Sequence, residues 1–202
     1  MSPASGGIVL CGGKSTRMGV AKATLPFGPE TMLQRVVRLL STVVAPVVVV
    51  AARDQELPAL PADVVVTRDE RDERGPLEGL RAGLKALPQS VDAAYVTSCD
   101  VPLLEPAFAA RMLALLGSDD IAVMEIDGFT HPLSAVYRRN VLAQIELLLD
   151  QNRLRPAFLF QAVPTRRVKP DEMTVVDPKL QTLRNLNTRE DYLAALADAG
   201  LA

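Results

Sequence analysis

The chain has 202 residues, and 22 Lys and Arg against 24 Asp and Glu leave a formal charge of -2, with 49% hydrophobic and 23% charged residues. This balance excludes a disordered polyelectrolyte and argues against a nucleic-acid binder, which needs a basic stripe to displace phosphate counterions. No apolar run approaches the roughly 20 residues that span a bilayer, and Met1-Ser2-Pro3-Ala4-Ser5 lacks the basic and apolar regions of a signal peptide, so a cytoplasmic protein with no membrane partner is expected.

Gly7-Ile8-Val9-Leu10 is the first of four short apolar runs rich in β-branched residues; Val47 to Val50, Val64 to Val66 and Ala93 to Val96 follow. Such continuous runs suit strands buried on both faces, as in a parallel sheet. Between the first two, Leu33, Val36, Val37 and Leu40 recur at helical spacing behind Thr31, with Gln34 completing a capping box. Arg68 to Arg74 is a run of alternating charge and reads as a solvated loop. Gly75-Pro76-Leu77 then opens a helix carrying Leu80, Leu84 and Leu87, and Phe108, Met112, Leu115 and Leu116 mark another behind Pro106. Ile121 to Met124 and Phe129 to Val136 flank Asp127-Gly128, which predicts a tight hairpin adding antiparallel strands at one end. Val141, Leu142, Ile145, Leu148 and Leu149 form a further helical face, and Thr188 with Asp191 predicts a capped terminal helix. Strands alternating with helices give an α/β fold of three layers around a mostly parallel sheet. No linker or repeat interrupts the chain, so residues 1–202 are expected to form a single domain.

Chemistry is confined by what is scarce. One histidine, His131, and two cysteines, Cys11 and Cys99, provide neither a histidine triad nor a zinc site. Both cysteines end predicted strands and read as small buried apolar residues. If the chain is an enzyme, its chemistry should rest on carboxylates, cations and backbone amides. Leu10-Cys11-Gly12-Gly13-Lys14-Ser15-Thr16-Arg17-Met18-Gly19-Val20-Ala21-Lys22 follows the first strand, and its paired glycines let amides approach a phosphate while Lys14, Arg17 and Lys22 add positive charge. It is not a Walker A loop, because the earlier glycine would have to stand at Ile8, and no dinucleotide fingerprint is present. Asp100, in Thr97-Ser98-Cys99-Asp100-Val101-Pro102, ends the fourth predicted strand and should face the same crevice, where a carboxylate beside a triphosphate is a usual way to hold Mg²⁺. Gly75 precedes a helix whose free amides could meet a ligand.

Together these stretches resemble the molybdenum cofactor guanylyltransferases, within a wider group of nucleotidyltransferases with a Rossmann-like sheet. Leu10 to Lys22 is similar to the family's opening Leu-Ala-Gly-Gly-x-Ser-x-Arg-Met-Gly-x-Asp-Lys, and Gly75-Pro76-Leu77-x-Gly79, Cys99-Asp100-x-Pro102, His131-Pro132 and Asn185-Leu186-Asn187-Thr188 with Glu190 follow in the family's order. The resemblance implies a three-layer Rossmann-like nucleotidyltransferase fold and transfer of GMP from GTP to the phosphate of molybdopterin, with Mg²⁺ and release of pyrophosphate. It implies Arg17, Lys22 and Asp100 as catalytic residues, with Asp100 on the metal. Leu10, Cys11, Gly12, Gly13, Lys14, Lys22, Val50, Asp69, Gly75 and Asp100 are the implied nucleotide contacts. Asn185 and Asn187 would lie near the metal and the acceptor phosphate, and His131, Arg155 and Lys169 on the acceptor side. Other cofactor-biosynthesis proteins and a molybdoenzyme would be transient partners.

Two departures bear on this. Ala21 stands where the family has aspartate, and Val50 where it often has an asparagine that helps read guanine. Asp69 or Asp72 could accept hydrogen bonds from guanine N1 and N2. A related transferase using CTP, and a nucleotide- or partner-binding homologue without turnover, are the alternatives.

Overall fold

Every side chain of Val47–Ala51 is buried, as a strand covered on both faces requires. In the computed structural model, which describes residues 4–12, 21–69 and 74–202, this strand is β4, and it pairs in parallel with β1 (Ala4–Leu10), Ile8 opposite Val48. Between them lie a small antiparallel pair, β2 (Pro26–Phe27) and β3 (Glu30–Thr31), and helix α1 (Met32–Leu40). Thr31 and Gln34 form the expected reciprocal capping box: Gln34 N–H donates to Thr31 Oγ1, and Thr31 N–H to Gln34 Oε1.

The chain continues through β5 (Val65–Arg68), α2 (Pro76–Ala86), β6 (Val91–Ser98), α3 (Pro106–Leu115), β7 (Ile121–Ile126) and β8 (Phe129–Arg138). Helices α4 (Leu142–Asp150) and α5 (Pro156–Ala162), strand β9 (Thr165–Val168), and helices α6 (Pro170–Met173) and α7 (Arg189–Asp198) complete it. The seven-stranded sheet has the order β5-β4-β1-β6-β8-β7-β9, and only β8 runs against the others. The fold is thus the expected three-layer, mostly parallel α/β arrangement.

Strand alternation divides the core. Val9, Val47 and Val49 face Leu33, Val37 and Leu40 of α1 and Phe108 and Met112 of α3. Ile8, Leu10, Val48 and Val50 face Leu77, Leu80 and Leu84 of α2 and Ile145 and Leu148 of α4. Helix α2 lies so close to β1 that a Cβ on Gly83 would stand 2.6 Å from Ile8 Cγ2, which leaves room only for glycine.

Three details differ from the sequence reading. The valines of β5 are not buried on both faces: β5 is an edge strand, with Val65 and Val66 exposed. The hairpin turns tightly at Asp127 (φ 49°) and Gly128 (φ 82°), but it does not sit at the end of the sheet, because β8 pairs with β6 and the unforeseen β9 forms the edge. Between β7 and β8 the register jumps from Val123 opposite Ala135 to Met124 opposite His131. The skipped residues include Pro132, which has no N–H to give the ladder, and its carbonyl instead accepts from Tyr137 Oη at 2.8 Å.

A third, smaller cluster packs Leu186 and Ala195 against Phe27, Met32 and Leu103, tying the C-terminal segment to β2, the start of α1 and the loop after β6. Leu186 is fully buried, and its N–H donates to the Asp100 carbonyl at 2.9 Å. Replacing Leu186→Ala should therefore cost about 2–5 kcal/mol in denaturant unfolding, whereas Leu186→Met, which keeps the volume, should cost less than about 1.5 kcal/mol.

Candidate active site

Parallel pairing brings the carboxyl ends of β1, β4, β5 and β6 to one edge of the sheet, where open α/β folds form their binding crevice. Because Leu10 stands opposite Ser98, the residues that follow, Cys11-Gly12 and Cys99-Asp100, leave the sheet side by side. Cys99 N–H donates to the Leu10 carbonyl at 3.1 Å and Cys11 N–H to the Val50 carbonyl at 2.8 Å, so both exits are fixed. The two thiols are buried, and hydrogen bonding to Cys99 together with burial pushes the Cys11 thiol well above its ordinary range. A protonated thiol is a poor nucleophile, so Cys11 packs and does not attack.

Both carboxylate oxygens of Asp100 are engaged. Its Oδ1 accepts from Ser98 Oγ at 2.5 Å and from Asn185 Nδ2 at 3.2 Å, while its Oδ2 accepts from Lys22 Nζ at 2.8 Å. Lys22 Nζ also donates to Asn187 Oδ1 at 2.9 Å. Four residues named from sequence, Lys22, Asp100, Asn185 and Asn187, thus form one network. Burial of Leu186 between the two asparagines sets their position. Ser98 was not singled out by the sequence reading; the available signal was a hydroxyl two residues before the aspartate at the end of an apolar strand.

The other end of the crevice lies beyond β4 and β5. Asp69 follows β5, its N–H donating to the Ala51 carbonyl at 2.9 Å. Its carboxylate sits between two glycines: a Cβ on Gly12 would stand 3.1 Å from Asp69 Oδ2, and one on Gly79 would stand 3.5 Å from Asp69 Oδ1. Leu10 borders the same place, its methyls 3.3 Å from the Gly79 position. Val50, by contrast, is buried in the α2 face of the core and presents no side-chain atom to a ligand. The polar contacts beside it come from Gln55, which the sequence did not single out, and from Arg68, which was expected in a solvated loop but ends β5. Gln55 donates from Nε2 to the Cys11 carbonyl at 3.1 Å and accepts the Ala52 N–H at 3.0 Å. Arg68 Nη1 reaches the carbonyls of Ala52, Arg53 and Gln55 at 2.7, 2.8 and 3.1 Å. Together they fasten the loop after β4 to the exit of β1.

Gly75 caps α2 with φ 69°, a conformation that favours glycine, and Pro76 occupies the first turn. The Leu154 carbonyl lies 3.8 Å from the Gly75 Cβ position, so Arg155, exposed at the start of α5, follows beside it. Lys169 is three strands from β6, about 14 Å at ordinary strand spacing. It pairs with Glu125, whose other oxygen takes Arg167 Nη1 at 2.5 Å. These two cations, Lys169 first, hold the Glu125 carboxyl below the usual range. Glu125 was also missed; a lone charge inside the apolar run of β7 was its signal. His131, on β8 one strand from β6, is half-buried, and burial lowers its pKa, leaving it neutral at pH 7. It supplies a hydrogen-bonding ring and no charge. Gly13, Lys14, Arg17 and the alternative acid Asp72 lie outside the described residues.

The donor set suits a hard cation. Asp100 and Asn187 offer oxygens on either side of an ammonium group, and Mg²⁺ takes one or two carboxylates together with substrate phosphates. Among the described residues no cluster of three or more His, Cys, Asp or Glu forms an all-protein cage.

Residues 7–165 match the model of the MobA-like NTP transferase domain. The chain belongs to this family. It is a nucleotidyltransferase. It is 36% identical over 197 residues, 96% of this chain and 95% of the relative, to a Mycobacterium avium protein named "Probable molybdenum cofactor guanylyltransferase". A Methanosarcina acetivorans protein of the same name is 34% identical over 198 residues, 91% and 86% of the two chains. Among solved structures, molybdopterin-guanine dinucleotide biosynthesis protein A from Archaeoglobus fulgidus superposes with a TM-score of 0.81 at 17% identity, covering 98% of this chain and 100% of that one. A 2-C-methyl-D-erythritol 4-phosphate cytidylyltransferase from Thermus thermophilus reaches 0.68 at 17% identity, covering 96% and 98%. At such identities these two likenesses concern the fold.

The histidine gives a pH signature. Its folded pKa is below the unfolded value near 6.5, so the unfolded chain binds the proton more readily and stability falls as pH drops below about 6.5. Urea unfolding between pH 7.5 and 5.5 should show this decline in the wild type and a flatter profile in His131→Asn.

Proposed function

We propose that this nucleotidyltransferase moves GMP from GTP to the phosphate of molybdopterin, within a single domain of residues 1–202, giving the guanine dinucleotide cofactor and pyrophosphate. The observation that carries the reading is the cation-bridged pair Asp100–Asn187, held by Ser98, Asn185 and Leu186 beside the exit of β1. The names and high coverage of the relatives support the substrate pair.

The reaction needs little from the protein besides position and charge. An acceptor phosphate is anionic at neutral pH, so no general base is required. Its oxygen forms a bond to the α-phosphorus as the bond from that phosphorus to the bridging oxygen of pyrophosphate breaks, and the electron pair leaves with pyrophosphate. Asp100 would hold Mg²⁺, with Asn187 beside it, and the ion would neutralise phosphate charge. Lys22 and the Gly12-Gly13 loop with Lys14 and Arg17 are assigned to the phosphates. Leu10, Cys11 and Gly75 are assigned to the walls of the nucleotide cleft. Asp69 is assigned to guanine, because a carboxylate fixed between Gly12 and Gly79 accepts two donors, as N1–H and the 2-amino group offer. His131, Arg155 and Lys169 are assigned to the acceptor half, and a molybdoenzyme or another biosynthetic protein to receipt of the product.

Calorimetry with GTP, CTP, ATP and UTP plus Mg²⁺, followed by turnover with molybdopterin, tests the reading. GTP should bind best. Asp69→Asn should lower kcat/KM for GTP roughly 10- to 100-fold and narrow the gap to the other nucleotides, since it removes hydrogen bonds to a charged group. Asp100→Ala should keep the fold but lose Mg²⁺-dependent turnover. A CTP preference in the wild type would assign the chain to the cytidylyl alternative, and absence of nucleotide binding to the non-catalytic one.

A further inference from the structure

Asp100 has one oxygen, Oδ1, taken by the Ser98 hydroxyl and the Asn185 amide. Among the described residues Oδ2 faces one cation, the Lys22 ammonium, at 2.8 Å. The same ammonium reaches Asn187 Oδ1 at 2.9 Å, so it bridges the two oxygens best placed for a divalent ion. Two cations cannot share that position. The ammonium neutralises the carboxylate, and a second positive charge at Oδ2 would meet it at contact distance in a place where Lys22 and Asp100 keep only 19% and 13% of their side-chain exposure. Ala21, the residue before Lys22, carries no carboxylate to draw the ammonium elsewhere. Asp100 is its one acidic partner among the described residues.

We infer that Lys22 and the divalent cation are alternative occupants of the Asp100–Asn187 oxygen pair. Lys22 closes the pair before substrate arrives, and the metal enters when a triphosphate offers the ammonium a new anionic partner. This rests on the reading of Asp100 as the metal carboxylate. Its consequence is linkage: nucleotide must raise metal affinity, and metal must raise nucleotide affinity by the same factor, because each removes the obstacle to the other. A lysine that only bound phosphate would leave the metal affinity of the nucleotide-free protein unchanged.

Mn²⁺ binding to the full-length, nucleotide-free protein, followed by the loss of the free Mn²⁺ electron paramagnetic resonance signal, tests this. Lys22→Met should bind Mn²⁺ roughly fivefold or more tightly than wild type, the size expected when a partly exposed ion pair no longer competes. Lys22→Gln should do the same, and adding Asp100→Asn to either variant should erase the gain. Circular dichroism and melting identify variants that keep the native fold, and either lysine substitution suffices. Mn²⁺ affinity in Lys22→Met and Lys22→Gln equal to or below wild type overturns the exchange. If Asp100→Asn loses Mn²⁺ binding in the presence of GTP while the lysine variants show no gain, the exchange fails and the metal reading stands. If Asp100→Asn leaves Mn²⁺ binding with GTP unchanged, both fail.

Discussion

The parallel pairing of β1 with β6, in which Leu10 stands opposite Ser98, sets Gly12 and Asp100 side by side, and the crevice is built around them. Side chains in a strand alternate, so a slip of one residue would turn Ser98 and Thr97 to the opposite faces and separate Gly12 from Asp100. The register is held from both sides, since Val9 and Tyr95 belong to one core and Ile8 and Val96 to the other. A strand buried on both faces cannot slip without moving apolar side chains in two cores at once. The precision of the crevice is thus inherited from packing several residues away from it.

The second support comes from a distant part of the chain. Asn185 is 85 residues beyond Asp100, yet donates to its carboxylate. Closing so long a loop costs little more entropy than closing a shorter one, because the cost grows only with the logarithm of length. What must be supplied is an anchor at the contact, and Leu186 is that anchor: an apolar side chain sunk between two polar neighbours, with its backbone N–H on the Asp100 carbonyl. The sequence Asn-Leu-Asn sends alternate side chains to opposite sides, one inward to the core and two outward to the crevice.

Legibility in the sequence followed the range of the forces involved. Capping boxes at Thr31 with Gln34 and at Thr188 with Asp191 were readable because they close within one turn. The buried runs of β1, β4 and β6 and the prominence of Asp100 were readable because apolar continuity and a strand-ending acid are local features. Strand β9 was not, since Thr165-Arg166-Arg167-Val168 lacks an apolar pattern and owes its place to pairing with β7. The hairpin was visible but its place in the sheet was not, because which strand β8 would join depends on long-range packing. The family motif points to Val50, whereas the polar groups beside that site come from Gln55, in the loop after β4, and Arg68, at the end of β5, whose contacts join segments distant in sequence. The role of Ser98 was not legible, because nothing in spacing alone says that its hydroxyl turns back onto Asp100.

Charge arrangement explains how a nearly neutral chain can prepare for a polyanion. A bare carboxylate in the crevice would repel a triphosphate, and a bare lysine beside it would leave no place for a metal. Here the two cancel each other through one contact, with hydroxyl and amide donors on the remaining carboxylate oxygen. Those neutral donors hold Oδ1 separately from the Lys22 contact at Oδ2. The ion pair is partly exposed and therefore cheap to open, unlike a fully buried pair, whose separation would strand a charge away from water. Two neutral donors on one oxygen and a single ammonium on the other form the arrangement that the proposed exchange of Lys22 for a divalent ion requires.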